Sequence, residues 1–455
     1  MVKSYQQALN YLKQLRPKTQ QTKFPGNLGL LRAKYLSKKL KNPQNKLKII
    51  HVAGTSGKGS TTYFTSMALK SQGFNVGLTQ SPHILDIRER IQINNRIISR
   101  KEFVKLLNQV IPAIELTSKY QKGALGMPTF FEVLIAMAFL YFYHNSVDYA
   151  VIETGLGGLY DGTNVVNRQD KIVIITKIGF DHTHILGKTL SDIAKQKCGI
   201  IYPGNQVITC KQLPQVHRVI SATVNKKISH LITILPEKNY KFTGYSNNKS
   251  ALIFDFKLNQ FILNNIIINN PATYKVENAA LALTCFILLA NRDNFKIKEI
   301  KLRIILANIN LSGRFFIEKL KNKTLILDGA HNPQKMTALI KSIQSLYPGE
   351  KFHFLCAFKE NKDYLNILNK IPAVAKDIVF TKFTANDQDM VQKSVNPSNL
   401  ANYLKKLKFV KFTVEPDFKK ALIKILQNKD QVKVVITGSI YLLSKIYPLL
   451  EKTKN

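Results

Sequence analysis

The sequence predicts an α/β protein with two domains: a parallel-sheet domain carrying a small antiparallel insertion, and a smaller α/β domain behind it. Short apolar runs typical of buried strands alternate with segments of helical periodicity along most of the chain. The first strand leads into a glycine-rich turn and then a helix. The alternation stops near residue 231 and restarts near residue 324. This pattern favours parallel sheets covered by helices on both faces.

The first domain is expected at residues 1–308. Its strands are predicted at Lys46–Val52, Val76–Thr79, Tyr149–Glu153 and Lys171–Thr176, and its helices at Ser60–Gln72, Lys101–Ser118, Phe130–His144 and Ala272–Asn291. Between Leu231 and Ile268, polar and apolar residues alternate in short runs. This alternation predicts the antiparallel insertion, because successive side chains of a half-buried strand face opposite sides.

A hinge is expected at residues 309–316, followed by the second domain at residues 317–455. Strands are predicted near Thr324–Leu327, Lys351–Cys356, Asp377–Phe380 and Val432–Ile436, and helices near Gln334–Leu346, Pro397–Leu407 and Phe418–Leu426. The strand–helix rhythm therefore predicts a second, smaller α/β sheet.

The composition indicates a globular cytoplasmic protein. Of the 455 residues, 45% are hydrophobic and 21% are charged. The longest apolar runs, Val133–Phe142 and Ala279–Ala290, are shorter than the ~20 residues of a membrane helix. The N-terminus lacks the compact apolar stretch of a secretory signal. The four cysteines lie far apart without a CxxC pair, which favours free thiols in a reducing compartment.

The formal net charge of +39 raises the alternative of a basic RNA-binding protein. Basic residues are spread along the whole chain, however, and the densest segment, Ser37–Lys41, has no interleaved aromatic residues to stack on bases. We therefore expect no specific nucleic-acid partner. No acidic residue precedes Asp86, so the N-terminal segment has the composition of an organellar targeting peptide. An ordinary first helix in a lysine-rich protein is the favoured interpretation.

The glycine-rich turn after the first strand is predicted to bind phosphate. It consists of Gly54, Thr55, Ser56, Gly57, Lys58, Gly59 and Ser60. Glycines allow backbone N–H groups to converge on an anion, and the helix N-terminus adds its dipole. Lys58 is expected to reach the β- and γ-phosphates and Ser60 to bind Mg²⁺. The standard pattern is not fully met, because Val52 stands where a first glycine is expected and Gly59 separates the lysine from the hydroxyl. A chance glycine turn is the alternative.

Two further residues follow strands at the predicted carboxyl edge of the sheet, where open α/β sheets bind ligands. Glu153 ends an apolar strand, and its carboxylate would be an oxygen ligand for Mg²⁺. His182 stands beside Asp181 after the next strand. A surface charge and a hydrogen-bonded histidine, respectively, are the ordinary alternatives.

Further motifs follow along the chain. They are Ser81-Pro82-His83-Ile84, Thr129-Phe130-Phe131-Glu132, Glu153-Thr154-Gly155-Leu156-Gly157-Gly158, Asp181-His182, Lys197-x-Gly199-Ile200-Ile201, Ser312-Gly313-Arg314-Phe315 and Asp328-Gly329-Ala330-His331-Asn332-Pro333. In their order and spacing, these motifs and the loop resemble the folylpolyglutamate synthase/dihydrofolate synthase branch of the Mur ligase superfamily. The resemblance covers nearly the whole chain. It implies a P-loop-type first domain and a Rossmann-like second domain.

The resemblance also implies an activity, the ATP-dependent ligation of L-glutamate to folate, and also to dihydropteroate, through an acyl phosphate. The implied catalytic residues are Lys58, His182, Lys197 and Arg314. The implied ligands of two Mg²⁺ ions are Ser60, Glu153, His182 and Lys197. Lys197 lies fifteen residues after His182, and the family's lysine at that spacing is carbamylated. ATP contacts are implied for the loop and for Asn278, Arg314, Asp328 and His331. Folate contacts are implied for Ser81, Pro82, His83, Thr129, Phe130, Phe131, Glu132 and Asp161.

Several residues depart from the family pattern. They are Leu159, Tyr160 and Gly162 after the Glu153 motif, Gln196 before Lys197, Tyr274-Lys275 in place of a usual His-Gln pair, and Gln334. The first three lie in the loop that holds dihydropteroate in bifunctional members. A monofunctional folylpolyglutamate synthase is therefore one alternative.

More distant alternatives are another Mur-type amide ligase and a P-loop ATPase acting as a motor or switch. Only about 50 residues precede the loop, too few for the UDP-binding domain of the ligases that act on UDP-sugar peptides. A motor or switch leaves Glu153, the His182–Lys197 pair and the second domain unexplained. The expected partners are small molecules, and we expect a monomer without membrane association.

Overall fold

The computed structural model describes residues 1–17, 19, 24–120, 125–309, 311, 313–320, 322–386, 388–409, 411–427 and 432–452. Ser312, part of the predicted hinge motif, lies outside these residues. No helix in the described part of the chain is both long enough and apolar enough to cross a membrane.

The first domain is built on an eight-stranded sheet with the order β4-β3-β2-β5-β1-β6-β7-β8. Its strands are β1 Ile49–Ala53, β2 Val76–Thr79, β3 Gln92–Ile93, β4 Arg96–Ile97, β5 Tyr149–Glu153, β6 Ile172–Ile175, β7 Gln206–Cys210 and β8 His230–Ile234. The six strands from β2 to β8 in this order are parallel, and β3 and β4 add an antiparallel edge. All residues of β1 and β5 are buried, because helices cover both faces of a parallel sheet.

Helices of the first domain pack on both faces of this sheet. They are α1 Tyr5–Gln14, α2 Asn27–Lys39, α3 Lys58–Ser71, α4 Arg100–Ser118, α5 Phe130–His144, α6 Thr183–Leu186, α7 Leu190–Cys198, α8 Pro214–Lys226, α9 Tyr274–Arg292 and α10 Glu299–Ala307. One core contains the inner faces of α3 and α9, and a second contains those of α1, α4 and α5. Ala8 and Leu12 of α1 are fully buried, as the ordinary-first-helix interpretation predicts.

The antiparallel insertion is present, but it begins later than predicted. It is a three-stranded sheet of β9 Tyr240–Tyr245, β10 Leu252–Leu258 and β11 Phe261–Ile268. The prediction that it starts at Leu231 was wrong, because His230–Ile234 pairs parallel to β7 as the edge of the main sheet. Only Ile234 of this edge strand is fully buried. An exposed edge strand has the same mixture of polar and apolar residues as a half-buried antiparallel strand, so the sequence did not distinguish them.

The second domain contains a six-stranded sheet with the order β12-β13-β19-β14-β15-β18. Its strands are β12 Phe316–Leu320, β13 Lys323–Leu327, β14 Phe352–Cys356, β15 Ala375–Phe380, β18 Phe412–Val414 and β19 Val432–Thr437, with a separate hairpin of β16 Thr384–Ala385 and β17 Gln392–Lys393. Its helices are α11 Pro333–Leu346, α12 Tyr364–Leu368, α13 Pro397–Lys406, α14 Phe418–Leu426 and α15 Ile440–Lys452. Strands β13, β19, β14, β15 and β18 are parallel, and β12 is antiparallel to β13.

The second sheet begins at the last residue of the predicted hinge. Phe316 belongs to β12 and pairs with Leu327. Strands β7, β12 and β18 were not predicted. Strand β7 contains an apolar run that is recognisable in the sequence. Strand β18 is only three residues long, so the pairing of β18 with β15 depends on the tertiary structure. The division at residues 308 and 317 stays a prediction.

Candidate active site

The glycine-rich loop connects β1 to α3 at the carboxyl edge of the first sheet. Gly57 has φ of 95° and caps α3, which begins at Lys58. The backbone N–H groups of Thr55 and Ser56 donate to the Lys177 carbonyl at 3.0 and 3.1 Å. Lys58 Nζ donates to the Gly54 carbonyl at 3.1 Å. The predicted strand, turn and helix are confirmed, and the turn leads into a helix N-terminus, a position that favours anions.

Two glycines of the loop leave room for side chains from other elements. A Cβ on Gly57 would overlap Asn278 Oδ1, and one on Gly59 would overlap Arg314 Nη2. Asn278 comes from α9, and Arg314 precedes β12. Gly59 is the residue that departs from the standard loop pattern, and its missing side chain provides the space in which the Arg314 guanidinium reaches the start of α3.

A cavity of about 760 Å³ surrounds the loop and extends between the two domains. Its wall includes most of the residues predicted for the site. They are Gly54, Thr55, Ser56, Gly57, Lys58, Gly59, Ser60, Ser81, Pro82, Thr129, Phe131, Glu132, Glu153, Asp161, His182, Lys197, Asn278, Arg314, Asp328 and His331. Residues distributed over more than 270 positions of the chain therefore meet in one cavity.

Phe130 and His83 do not line this cavity, unlike the other residues predicted to contact folate. Phe130 is 1% exposed and belongs to the core around α5, with the Arg16 and Arg90 guanidinium groups over its ring. Neighbouring residues of a helix point about 100° apart, so only Phe131 of the pair faces the cavity. His83 is buried, and its Nδ1 accepts from Arg90 Nε at 3.0 Å.

Of the residues predicted to hold a first Mg²⁺, Ser60 lies in the first turn of α3, and the Glu153 carboxylate at the end of β5 reaches the neighbouring Gly59. Glu153 Oε2 accepts from the Ser81 backbone N–H at 3.1 Å, and a Cβ on Gly59 would come within 3.1 Å of it. Ser60, the next residue, is buried. Within the described residues, no three His, Cys, Asp or Glu side chains form a metal site. One hydroxyl and one carboxylate nevertheless suit Mg²⁺, which takes phosphate and water oxygens as further ligands.

The second predicted metal site contains amines where anionic ligands are expected. Lys197 Nζ is buried and donates to the Gly54 carbonyl at 2.8 Å. Burial and the neighbouring Lys58 lower the pKa of Lys197 to about 7. Lys362 Nζ lies 3.0 Å from His182 Nε2. An ammonium cannot bind a metal, so these residues fit Mg²⁺ only when Lys197 is carbamylated and Lys362 leaves His182.

Asp181 connects the two domains. Its Oδ1 pairs with Lys362 Nζ at 2.6 Å, and its Oδ2 accepts from Asn332 Nδ2 at 3.0 Å. His331 Nε2 lies 3.6 Å from the same Oδ2. Burial raises the pKa of Asp181, but Lys362 and His182 outweigh this effect, and the pKa lies well below its usual value. The first domain therefore provides a buried anion on which the second domain converges.

The other end of the cavity offers a flat apolar surface beside two carboxylates. The Phe131 ring packs on Gly155, where a Cβ would come within 2.5 Å of it. Glu132 forms a two-point ion pair with Arg32, at 2.7 and 2.8 Å, and its Oε2 also accepts from the Thr129 backbone N–H at 2.9 Å. These bonds fix the carboxylate and leave an acceptor position on Oε1. Asp161 accepts from the Thr163 hydroxyl at 2.5 Å. A planar ring with polar edges would find both stacking and hydrogen-bond partners here.

Several residues of the cavity wall were not predicted, notably Tyr160, Gln334, Lys335 and Lys362. Ser56 Oγ donates to Gln334 Oε1 at 2.8 Å, which joins the loop to the second domain. Burial and Lys58 lower the pKa of Lys335 to about 7. Tyr160 and Gln334 were recognisable as departures from the family pattern. Lys335 and Lys362 carry no signal in a chain so rich in lysine.

Comparisons with known proteins agree on one family. A model described as Mur ligase middle domain matches residues 52–286, and one described as dihydrofolate synthetase, C-terminal domain, matches residues 314–449. The dihydrofolate synthase/folylpolyglutamate synthase of Bacillus subtilis (strain 168) is 31% identical over 431 residues, which are 93% of this chain and 95% of that protein.

Solved structures match over the whole length as well. A Mycobacterium tuberculosis folylpolyglutamate synthase complexed with ADP has a TM-score of 0.85 at 23% identity and covers 98% of both chains, which shows the fold. A folylpolyglutamate synthase–AMPPCP–folate complex has a TM-score of 0.82 at 25% identity, covering 98% of this chain and 100% of its own.

Proposed function

The chain belongs to the folylpolyglutamate synthase/dihydrofolate synthase family of Mur ligases, and we propose that it uses the cavity around Gly54–Ser60 to join L-glutamate to a folate at the expense of ATP. It is an ATP-dependent acid–amino-acid ligase. The observation that carries the assignment of the site is the convergence of Asn278 and Arg314 on the side-chain-free positions Gly57 and Gly59. This convergence places an amide and a guanidinium at the phosphate loop.

In the first step, a carboxylate oxygen of the folate attacks the γ-phosphorus of ATP in line. The bond to the β,γ-bridging oxygen breaks, which yields an acyl phosphate and ADP. The contribution of the protein is orientation and charge neutralisation. Lys58 at the start of α3 and Arg314 from the domain junction are the cations that we assign to the transferring phosphate, and Asn278 contacts the nucleotide.

In the second step, the amine of L-glutamate attacks the acyl carbon. The tetrahedral intermediate collapses to the amide as the C–O bond to phosphate breaks, and the amine proton passes to solvent or to the departing phosphate. An acyl phosphate is sensitive to hydrolysis, so the site must exclude water. Contacts across the domain junction, such as Ser56–Gln334 and Asp181–Lys362, would keep the cavity closed during this step.

Magnesium is the cofactor that these residues would hold. Ser60 and Glu153 are the proposed ligands of one ion, and His182 with carbamylated Lys197 those of a second. When bound, Mg²⁺ supplies positive charge to the phosphates. Lys197 is suited to carbamylation because a pKa near 7 leaves a sizeable neutral fraction of the amine, which is the form that reacts with CO₂.

Dihydropteroate is the second acceptor that we propose. Phe131, Glu132 and Asp161 form a surface for a pterin ring that does not require a glutamate tail on the substrate. Tyr160 and Gly162 replace usual family residues in this loop and line the same wall. Gly162 leaves the space beside the Phe131 ring open, since a Cβ there would be 3.5 Å from the ring. This spacing is ordinary van der Waals contact. The glycine at position 162, in place of the usual alanine of the family, therefore leaves the surface proposed for the pterin ring intact.

The test is a ligation assay with both acceptors in parallel. Purified protein with MgATP and labelled L-glutamate is incubated with a reduced folate or with dihydropteroate. We expect labelled longer folates and labelled dihydrofolate, with one ADP released per amide. Lys58→Ala should lower both rates by about 100-fold or more, because it removes a charge aimed at the transferring phosphate. No glutamate incorporation with either acceptor would overturn the assignment, and incorporation with folate alone would indicate a monofunctional enzyme.

A further inference from the structure

Lys275 is a fully buried lysine directly behind the phosphate loop. It belongs to the first turn of α9 and has no solvent exposure. Its Nζ lies 3.2 Å from Ser60 Oγ, to which it donates. Ser60 and Arg314 both line the cavity. A buried amine therefore stands one hydroxyl away from the position proposed for the phosphates and their metal. Burial and the Arg314 guanidinium hold the pKa of Lys275 well below the usual value of a lysine.

The hydrogen bonding of Lys275 is incomplete within the described part of the chain. An ammonium has three N–H donors, and Ser60 Oγ is the acceptor that the structure gives this one. The buried Lys171 differs, since its Nζ donates to the Val166 and Ile200 carbonyls, each at 2.8 Å. A buried cation without sufficient acceptors is costly unless a ligand supplies them.

The surroundings of Lys275 do not neutralise its charge. Among the described residues, no carboxylate oxygen lies within 4 Å of its Nζ. The nearby Asp328 favours the charged form of the amine, but burial and the Arg314 guanidinium have larger, opposite effects on its pKa. Asp328 Oδ2 accepts from the Tyr274 hydroxyl at 2.7 Å. The Arg314 guanidinium adds a second positive charge. The excess charge is compensated when a polyanion occupies the loop, and anionic phosphates also favour the charged amine.

We propose that Lys275 belongs to the nucleotide site and that its amine, from its position behind Ser60, supplies part of the positive charge that the β- and γ-phosphates require when they are bound. The consequence is that nucleotide binding depends less on divalent metal than it would with a neutral residue at position 275. This proposal rests on the proposed function, because it assumes that the loop binds a nucleotide.

The electrostatic argument fixes the sign of the effect. Lys275 attracts the phosphates whether or not metal is present, but it repels a Mg²⁺ bound to Ser60. Without metal, a neutral residue at position 275 loses the attraction. With metal, the loss is partly offset because the repulsion disappears as well. The ratio of nucleotide affinity with Mg²⁺ to that without it should therefore be larger in the neutral variant. At a separation of roughly 5 Å, even with the dielectric screening of water, the repulsion between a unit charge and Mg²⁺ shifts such a ratio by on the order of tenfold, and the weaker screening of a partly buried site makes the shift larger.

The experiment measures ADP and AMPPCP binding by titration calorimetry, with saturating Mg²⁺ and with EDTA. Lys275→Gln and Lys275→Met are compared with the unmodified protein, and circular dichroism verifies that each is folded. Lys171→Gln is the matched control, because it removes a buried ammonium at the opposite end of β6 from the loop. We expect the affinity ratio to rise by about tenfold or more in both Lys275 variants, mainly through weaker binding in EDTA, and to stay unchanged in Lys171→Gln.

An unchanged ratio in the Lys275 variants would overturn the proposal, even if both affinities fall, because a purely structural role lowers them in parallel. A falling ratio would overturn it too. If the unmodified protein binds neither nucleotide under either condition, the proposed function fails along with this inference. The two failures are therefore distinguishable. A variant that does not fold is replaced by the other, since Gln keeps a hydrogen-bonding group and Met keeps the length of the side chain.

Discussion

At the scale of residues, the site is defined by cations that are buried before any anion has bound. Lys197 and Lys335 both have a pKa lowered to about 7, by burial first and by Lys58 second. Each lysine lowers the pKa of the neighbouring amines, and a bound polyphosphate would raise these pKa values again. The electrostatics therefore point to a ligand with several negative charges.

The residue-scale prediction concerns Lys197. Lys197→Ala removes the amine that would become the carbamate ligand, and we expect ligation to fall by about 100-fold or more. Short carboxylates such as acetate or formate should restore part of the rate, because they can occupy the vacated space with an anionic oxygen. The measurement is the ADP-release rate against carboxylate concentration.

Lys195→Ala is the matched control, since Lys195 lies on the same helix with an exposed side chain. It should have nearly the unmodified rate. An unchanged rate in Lys197→Ala would remove Lys197 from the site, and a loss that no carboxylate relieves would count against the carbamate.

At the scale of elements, the unusual loop is explained by what packs against it. The loop and the start of α3 accept Asn278 at Gly57 and Arg314 at Gly59. A standard loop carries its hydroxyl directly after the lysine, at the position that Arg314 requires to be free of a side chain. The glycine at position 59 and the shift of the hydroxyl to Ser60 thus have the same explanation, because together they make room for the Arg314 guanidinium from the domain junction.

The element-scale prediction is a double-mutant cycle between Gly59 and Arg314. Gly59→Ala should lower the ligation rate by about tenfold or more, because the added methyl displaces the guanidinium. The melting temperature should not fall much, since alanine favours helix at this position of α3. In an Arg314→Ala background, Gly59→Ala should have almost no further effect. Independent losses of rate in the double variant would show that the two residues do not act together.

At the scale of the whole molecule, the second domain closes on the first through charged groups. Lys362, Asn332 and His331 all come from the second domain and surround Asp181. Breaking such a pair by removing one partner leaves an uncompensated buried charge, which is strongly destabilising. The junction is therefore sensitive to the protonation state of its members.

The prediction at this scale is an acid sensitivity that involves His331. Burial and Lys335 lower its pKa to about 3, below the ordinary value near 6.5. Above pH 6.5, His331 is mainly neutral in the closed form and in the unfolded chain, so its contribution to stability is present. As the pH falls below 6.5, the opened or unfolded chain takes up a proton that the closed form does not, so stability is lost down to about pH 3. By pH 5.5 the loss is about 1 kcal/mol.

The measurement is the melting temperature between pH 7.5 and 5.5. It should decline more in the unmodified protein than in His331→Gln. His230→Gln, at an exposed position of β8, serves as the control and should leave the decline unchanged. An equally steep decline in His331→Gln would exclude His331 as its source.

The sequence was sufficient to predict much of the fold, and most of the residues predicted for the site line one cavity. Helix α5 and strand β5 have the predicted bounds, since a strongly apolar run and a complete capping box mark the start of α5 at Thr129. Edge strands were harder to predict. The edge strand β8 was assigned to the insertion, because a half-exposed edge strand has a mixed pattern of polar and apolar residues. Strand β18 has only three residues, too few for a recognisable pattern.

By itself, the sequence determined the alternation of strands and helices, the strand, turn and helix around the glycine-rich loop, and the family, because these depend on local periodicity and on motif spacing. Predicted site residues from both domains line one cavity, although their direct contact with substrates stays a prediction. The tertiary structure alone decided that Phe131 faces the cavity while Phe130 fills the core, that Gly59 makes room for Arg314, and that Lys275 and Lys362 stand beside Ser60 and Asp181. The direction and partners of a side chain depend on elements distant in sequence, and among so many lysines only packing distinguishes a buried cation from a solvated one.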